Sequence, residues 1–161
     1  MTDDDTPWLS PGERRAWLGL VAVAELLPGR LDQQLQRDAG LTHFEYQVLA
    51  MLSEAPGRTL RMTALARRTN ATLPRLSHVA KRLEQRGLVE RAGSPQDRRA
   101  TDAHLTDAGW AAVVAAAPGH VCTARALTVD ALTPEDVGHL TRITAAMLRR
   151  LDPEGRMTPP D

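Results

Sequence analysis

The chain has 161 residues, 42% of them hydrophobic and 25% charged, which gives room for one sizeable core with a few long elements and excludes wholesale disorder, collagen-like repeats and a disulfide-rich scaffold. Cys122 is the single cysteine, so neither an intramolecular disulfide nor a cluster of several zinc thiolates can form, as suits a reducing cytoplasm. The net charge of zero hides a segregation: between Arg58 and Arg99 stand eleven basic residues against three acidic ones, and the rest of the chain carries 9 basic against 17 acidic, the footprint of a polyanion-binding module set between elements with another task.

Asp3-Asp4-Asp5 stands where a secretory signal would be basic, and the apolar runs at 18–24 and 110–117 are each too short to span a bilayer. The expectation is therefore a cytoplasmic protein, neither exported nor membrane-inserted. Ser10-Pro11-Gly12-Glu13 is a capping box with proline at the first helical position, and Trp17, Leu20, Val21, Ala24, Leu27, Leu31 and Leu35 follow at helical spacing. This predicts a helix from 11 to about 38, kinked or interrupted at Pro28-Gly29. Thr42-His43-Phe44-Glu45 is a second capping box, opening a helix to about Glu54 that Ala55-Pro56-Gly57 stops.

A short helix is expected over 61–69, then a turn at Thr69-Asn70-Ala71, then a helix over 73–86 with Thr72 as N-cap. In this last helix Leu76, Val79, Ala80 and Leu83 form an i, i+3, i+4, i+7 stripe, leaving Arg75, Ser77, His78, Lys81, Arg82 and Gln85 outward. Gly87 ends it, and 88–91 and 100–105 alternate as two strands of a hairpin with a cationic tip. Thr106 caps a long alanine-rich helix running toward 129, with a bend at Pro118-Gly119, and Thr133-Pro134-Glu135-Asp136 starts a last helix to about Leu151 with a seam of Leu140, Ile143, Met147 and Leu151. Residues 152–161 are expected to form a flexible tail. The first and last helices carry apolar seams that a small core cannot cover, which predicts a homodimer.

Two helices, a turn, a cation-faced helix and a two-stranded hairpin follow one another in the order of a winged helix-turn-helix. The residues themselves add Leu41-Thr42, Tyr46 and Val48-Leu49, then Leu65-Ala66, then Ser77-His78-Val79 with Arg82-Leu83-Glu84 and Gly87-Leu88-Val89 with Arg91, then Asp97-Arg98-Arg99, and Leu105-Thr106-Asp107-Ala108-Gly109. This ordered set resembles the MarR family of bacterial transcription regulators over residues 41–109. The resemblance implies a mainly α fold: a winged helix-turn-helix DNA-binding domain (41–109) with a helical dimerisation domain built from N-terminal (1–38) and C-terminal (107–151) helices. Asp102, in the returning strand, departs from the neutral or basic residue that suits a DNA-facing hairpin.

Placed in the major groove, such a helix brings Arg75, Ser77 and His78 to base edges, while Lys81, Arg82 and the Thr72 N-terminus suit phosphates. Resemblance gives Arg82 an alternative role, as partner of an acid within the chain. At the hairpin, resemblance implies that Arg99 enters the minor groove, oriented by an ion pair with Asp97, with Arg98 as a substitute. The implied function is a DNA-binding regulator, a repressor that binds a pseudo-palindromic operator on double-stranded DNA as a homodimer and is released by a small aromatic or anionic effector. A cleft for that effector is expected where Trp17, His43 and Tyr46 combine apolar bodies with hydrogen-bonding tips and Arg14 and Arg15 meet an anion. The five histidines lack close ligand spacing, Cys122 is read as a small packing residue, and neither a catalytic constellation nor a cofactor motif stands out. The competing readings are a winged-helix protein-interaction module without DNA, and a metal or redox sensor.

Overall fold

A computed structural model of the protein describes residues 6–94 and 97–157, the side chain of Arg98 excepted. The acidic start, the hairpin tip and residues 158–161 thus lie outside the described residues. Helix α1 (Pro11–Ala39) begins on the Ser10–Glu13 capping box and ends at Gly40, whose φ of 60° carries the left-handed C-cap. Helix α2 (His43–Ser53) begins on the second box, Thr42 with Glu45. A one-turn 3-10 helix (Pro56–Arg58) leads into strand β1 (Thr59–Arg61), and helices α3 (Met62–Arg68) and α4 (Leu73–Gln85) follow. Between them Asn70 takes a φ of 47°, the tight turn that a helix-turn-helix needs.

Strands β2 (Val89–Ser94) and β3 (Asp97–Leu105) form the hairpin, and the antiparallel sheet has the order β1-β3-β2. Val89 stands opposite Leu105, Ala92 opposite Asp102, and the register shifts between Gly93 and Ser94. Both strands are longer than the alternation at 88–91 and 100–105 predicts, and β1 is an addition to the expected elements. Helix α5 (Asp107–Leu127), a 3-10 turn (Val129–Ala131) and α6 (Pro134–Leu151) complete the chain.

Neither internal proline interrupts its helix. Pro28 in α1 and Pro118 in α5 are exposed, as are Ala24 and Val114 one turn earlier, so the carbonyls that lose their donors face water. Gly119 serves close packing: a Cβ there would stand 3.1 Å from Gln34 Nε2 on α1. The apolar run at 110–117 thereby continues past Pro118 in one helix, and by length and composition alone the stretch Asp107–Ala131 is apolar enough to cross a bilayer. In the fold the same helix supplies Gly109, Val113 and Ala116 to the interior.

One core holds the winged unit together. Leu41, Val48, Leu49 and Leu52 meet Leu65, Leu76, Leu83, Val89 and Leu105, each essentially buried, with Val113 of α5 against them. For α4 this is the burial that its stripe of Leu76, Val79, Ala80 and Leu83 predicts. The N-terminal half of α1 contributes nothing to it: Trp17, Leu18, Leu20, Val23 and Leu26 are exposed, and α6 has no buried residue.

Candidate nucleic-acid interface

Helix α4 turns Leu76, Val79, Ala80 and Leu83 into the core, and His78, Lys81 and Gln85 lie exposed on the opposite side. Thr72 accepts from the Arg75 N–H at 3.4 Å and fixes the helix start. Ser77, half-buried, lines a cleft of about 180 Å³ between α3, the first turns of α4 and the returning strand, together with Arg61, Thr63, Leu73, Arg91 and Arg99. Ser77 and Arg99, which the sequence places on different elements, therefore share one surface.

The charge count along the sequence overstates what this surface offers. Among the described side chains, six of these cations are held in ion pairs: Arg58 with Asp107, Arg61 with Asp97, Arg67 with Glu154, Arg82 and Arg86 with Glu45, and Arg91 with Glu84. Arg58 also lies over the ring of Trp110, 4.4 Å from its centroid. Lys81 and Arg99 have no carboxylate within ion-pairing distance among the described residues.

Two of the predicted roles change. Asp97 does not ion-pair with Arg99: one carboxylate oxygen lies 3.5 Å from Arg61 at the end of β1, and the other accepts from the Arg99 backbone N–H at 3.0 Å. The unforeseen β1 is what brings Arg61 there, with Asp102 opposite it in the register. Arg98 has its side chain outside the description. Arg82 takes the alternative role, 2.8 Å from Glu45 of α2, and Arg75 stacks over Phe44, 4.3 Å from the ring centroid. Glu45 is 1% exposed and accepts at one oxygen from the Thr42 backbone N–H and hydroxyl, at 2.8 and 3.1 Å. Its carboxylate thus caps α2 and grips α4 together, a long-range pairing that capping-box spacing reveals only in part.

Glu84 sets the hairpin against α4. Its carboxylate accepts from the Arg91 guanidinium at 2.6 and 3.2 Å and from the Arg91 backbone N–H at 3.2 Å. These bonds hold the Glu84 carboxyl below the usual range.

The expected effector cleft is not assembled within the chain. His43 and Tyr46 do meet, through His120 of α5: the His120 ring lies 4.6 Å from Tyr46 and 5.9 Å from His43, centroid to centroid. Asp32 of α1 accepts from the His43 backbone N–H at 2.7 Å. Trp17, however, is fifteen residues before Asp32 on the unbroken α1, roughly 22 Å along its axis, and Arg14 and Arg15 are farther still. Trp17, Arg14 and Arg15 are all exposed. Burial pushes both histidines below their usual pKa, with Asp32 opposing this at His43 and the neighbouring His43 adding to it at His120. The same burial raises the Tyr46 hydroxyl, with Glu54 adding to it. His120 is the member of this group that the sequence reading missed; only its place on the α5 face opposite α2 marks it.

Cys122 is exposed on α5, contrary to its reading as a packing residue. No three His, Cys, Asp or Glu side chains converge as a metal site among the described residues.

Comparison with known proteins bears on the surface just described. A model of the MarR family matches residues 39–100. Sco3205, a MarR family transcriptional regulator from Streptomyces coelicolor solved in complex with DNA, is 42% identical, with 93% of this chain and 94% of that one covered and a TM-score of 0.87. AbsC, a MarR family transcriptional regulator from the same organism, is 37% identical over 91% of this chain and 98% of its own, with a TM-score of 0.85. Over 80 residues the chain is 34% identical to the uncharacterised HTH-type transcriptional regulator YdcH of Bacillus subtilis, a match covering 48% of this chain and 54% of that relative.

Proposed function

Because this chain belongs to the MarR family of transcription regulators, we propose that it binds a pseudo-palindromic operator on double-stranded DNA as a homodimer in the cytoplasm and acts as a repressor released by a small ligand. One observation carries the DNA clause: the exposed face of α4, with His78 and Lys81, adjoins the cleft that Ser77 shares with Arg99 of the hairpin. A helix face flanked by a cationic ribbon suits a major groove and the minor groove beside it. That Sco3205 was solved with DNA supports the same reading. Within it, Ser77, His78 and the Phe44-stacked Arg75 stand toward the N-terminal half of α4 and read base edges, Lys81 and the Thr72 N-terminus take phosphates, and Arg99 takes the minor groove.

The effector clause rests on His43, Tyr46 and His120, which place two imidazoles and a phenol around the junction of α1, α2 and α5. A ligand there changes DNA affinity only by its differential affinity for the free and DNA-bound dimers. The test of the DNA clause is binding to the duplex upstream of the chain's own gene across salt concentrations. A dimer making about 6 to 10 phosphate contacts loses on the order of 10³ to 10⁵ in affinity between about 50 and 200 mM salt, and Lys81→Ala flattens that dependence. A salt-independent interaction overturns the reading.

A further inference from the structure

The expected flexible tail is, through Met157, a folded turn. The Asp152 carboxylate accepts from the Met157 backbone N–H at 2.6 Å, Gly155 donates to the Asp152 carbonyl at 3.0 Å, and Gly155 takes a φ of 64°. The turn presents Glu154 to α3. One Glu154 oxygen lies 2.6 Å from Arg67 and 3.0 Å from Arg156 Nε, and the other lies 2.6 Å from Arg156 NH2. Arg156 foremost, with Arg67 beyond it, holds this carboxyl below the usual range.

Around that carboxylate is a hollow of about 330 Å³ lined by Thr63, Arg67, Arg68, Gly155 and Arg156. Three guanidinium groups face one acid, and the other nearby carboxylate, Asp152, is engaged with backbone N–H groups of its own turn. Thr63 lies one helical turn before Arg67 on α3 and also lines the cleft that holds Ser77 and Arg99. The hollow is thus the lateral continuation of the surface assigned to DNA. In a helix-turn-helix the first helix crosses the sugar-phosphate backbone, so the edge of α3 is where a phosphate passes.

We propose that Arg67, Arg68 and Arg156 form a further binding site for a DNA backbone phosphate, occupied in the free protein by the Glu154 carboxylate. The site rests on the DNA-binding reading above. Its chemistry is an exchange of like for like, one anion leaving the guanidinium groups as another arrives, so the tail stands in for DNA until DNA comes. Neutralising Glu154 then relieves competition without touching α4 or the hairpin.

The test uses the full chain and a labelled duplex of about 30 base pairs of arbitrary sequence, since phosphate contacts are sequence-independent. Glu154→Gln is expected to tighten binding about 2- to 5-fold at low salt, the range of an exposed ion pair. Arg67→Ala is expected to weaken binding and reduce the slope of log K against log salt by about 0.9 per site. In an Arg67→Ala/Arg156→Ala background, which removes both ion-pair partners of Glu154, Glu154→Gln should have no effect, while the melting temperatures of all these variants match the wild type. A Glu154→Gln variant that binds no tighter, or one whose gain survives the loss of both Arg67 and Arg156, overturns the proposal. If the wild type binds with steep salt dependence and Glu154→Gln changes nothing, this site alone falls; if the wild type does not bind duplex DNA, the DNA-binding reading falls with it.

Discussion

At Gly109 the lack of a side chain decides how the winged unit joins α5. A Cβ built there stands 2.1 Å from the Leu88 carbonyl oxygen and 2.6 Å from Leu105 Cδ1, so backbone as well as side chain blocks any larger residue. The approach is fixed on both sides: Thr106 donates through its hydroxyl to the Gly87 carbonyl at 2.7 Å and through its N–H to Leu88 at 3.2 Å, and its hydroxyl oxygen accepts from the Gly109 N–H. Gly109→Ala is therefore expected to destabilise the protein by about 1 to 3 kcal/mol, the cost of overpacking a closed site. Thermal melting measures it, and an unchanged melting temperature contradicts the close approach. The glycine is visible in the sequence four residues after Leu105; its reason is not, because the carbonyl it makes room for lies 21 positions earlier.

Among the elements, the first turn of α2 is the most crowded with assignments. His43 and Tyr46 face α5, while Phe44 and Glu45 face α4. The histidines give this junction a pH dependence whose sign is set by burial. Both His43 and His120 are depressed in the folded state, so the unfolded chain takes up protons first, near a pH of about 6.5. Their contribution to stability is complete above that pH and is lost as pH falls toward the folded values. The carboxyl groups with resolved shifts are all lowered from 3.8 or 4.5 and stay ionised through this window. The melting temperature of the wild type is expected to drop between pH 7.5 and 5.5 more than that of His120→Phe, which keeps a ring beside Tyr46 and cannot titrate. Parallel curves for the two would remove the histidine pair from the account. The existence of α2, its cap and its inner face were all legible from local spacing. The pairings of Glu45 with Arg82, Phe44 with Arg75 and His43 with His120 were not, since no local rule links residues 31 to 77 positions apart. β1 escaped for a different reason: three residues are too few for alternation to register.

On the scale of the whole molecule, the polypeptide has one well-filled core and two long appendages that leave apolar surface uncovered. Leu26 is 69% exposed and Leu151 80%, and Trp17, Leu18, Val23, Leu140 and Ile143 are exposed as well. Such continuous apolar faces call for a partner surface, and the proposed second copy satisfies that demand symmetrically. Sedimentation velocity is expected to give a dimer at micromolar concentration, and a stable monomer contradicts the homodimer. The recognition helices of that dimer then lie roughly 34 Å apart, one turn of DNA. The sequence announced the seams, and α1 runs without interruption through Pro28. The expected effector cleft would need Trp17, Arg14 and Arg15 to reach His43 within one chain. Rise per residue along a continuous helix forbids it.

The bond from the Arg91 N–H to Glu84 bears on how the hairpin survives in a crowded cell. β2 is an outer strand of its sheet, and an outer strand offers unpaired amides to any stray chain. Here the recognition helix reaches over and occupies one of those amides with a side chain. The register shift between Gly93 and Ser94 disturbs the ladder farther out. The same carboxylate that aligns the ribbon for DNA thereby shields it from strand addition and fibril-like self-assembly, and a loss of Glu84 carries two penalties, one in recognition and one in solubility.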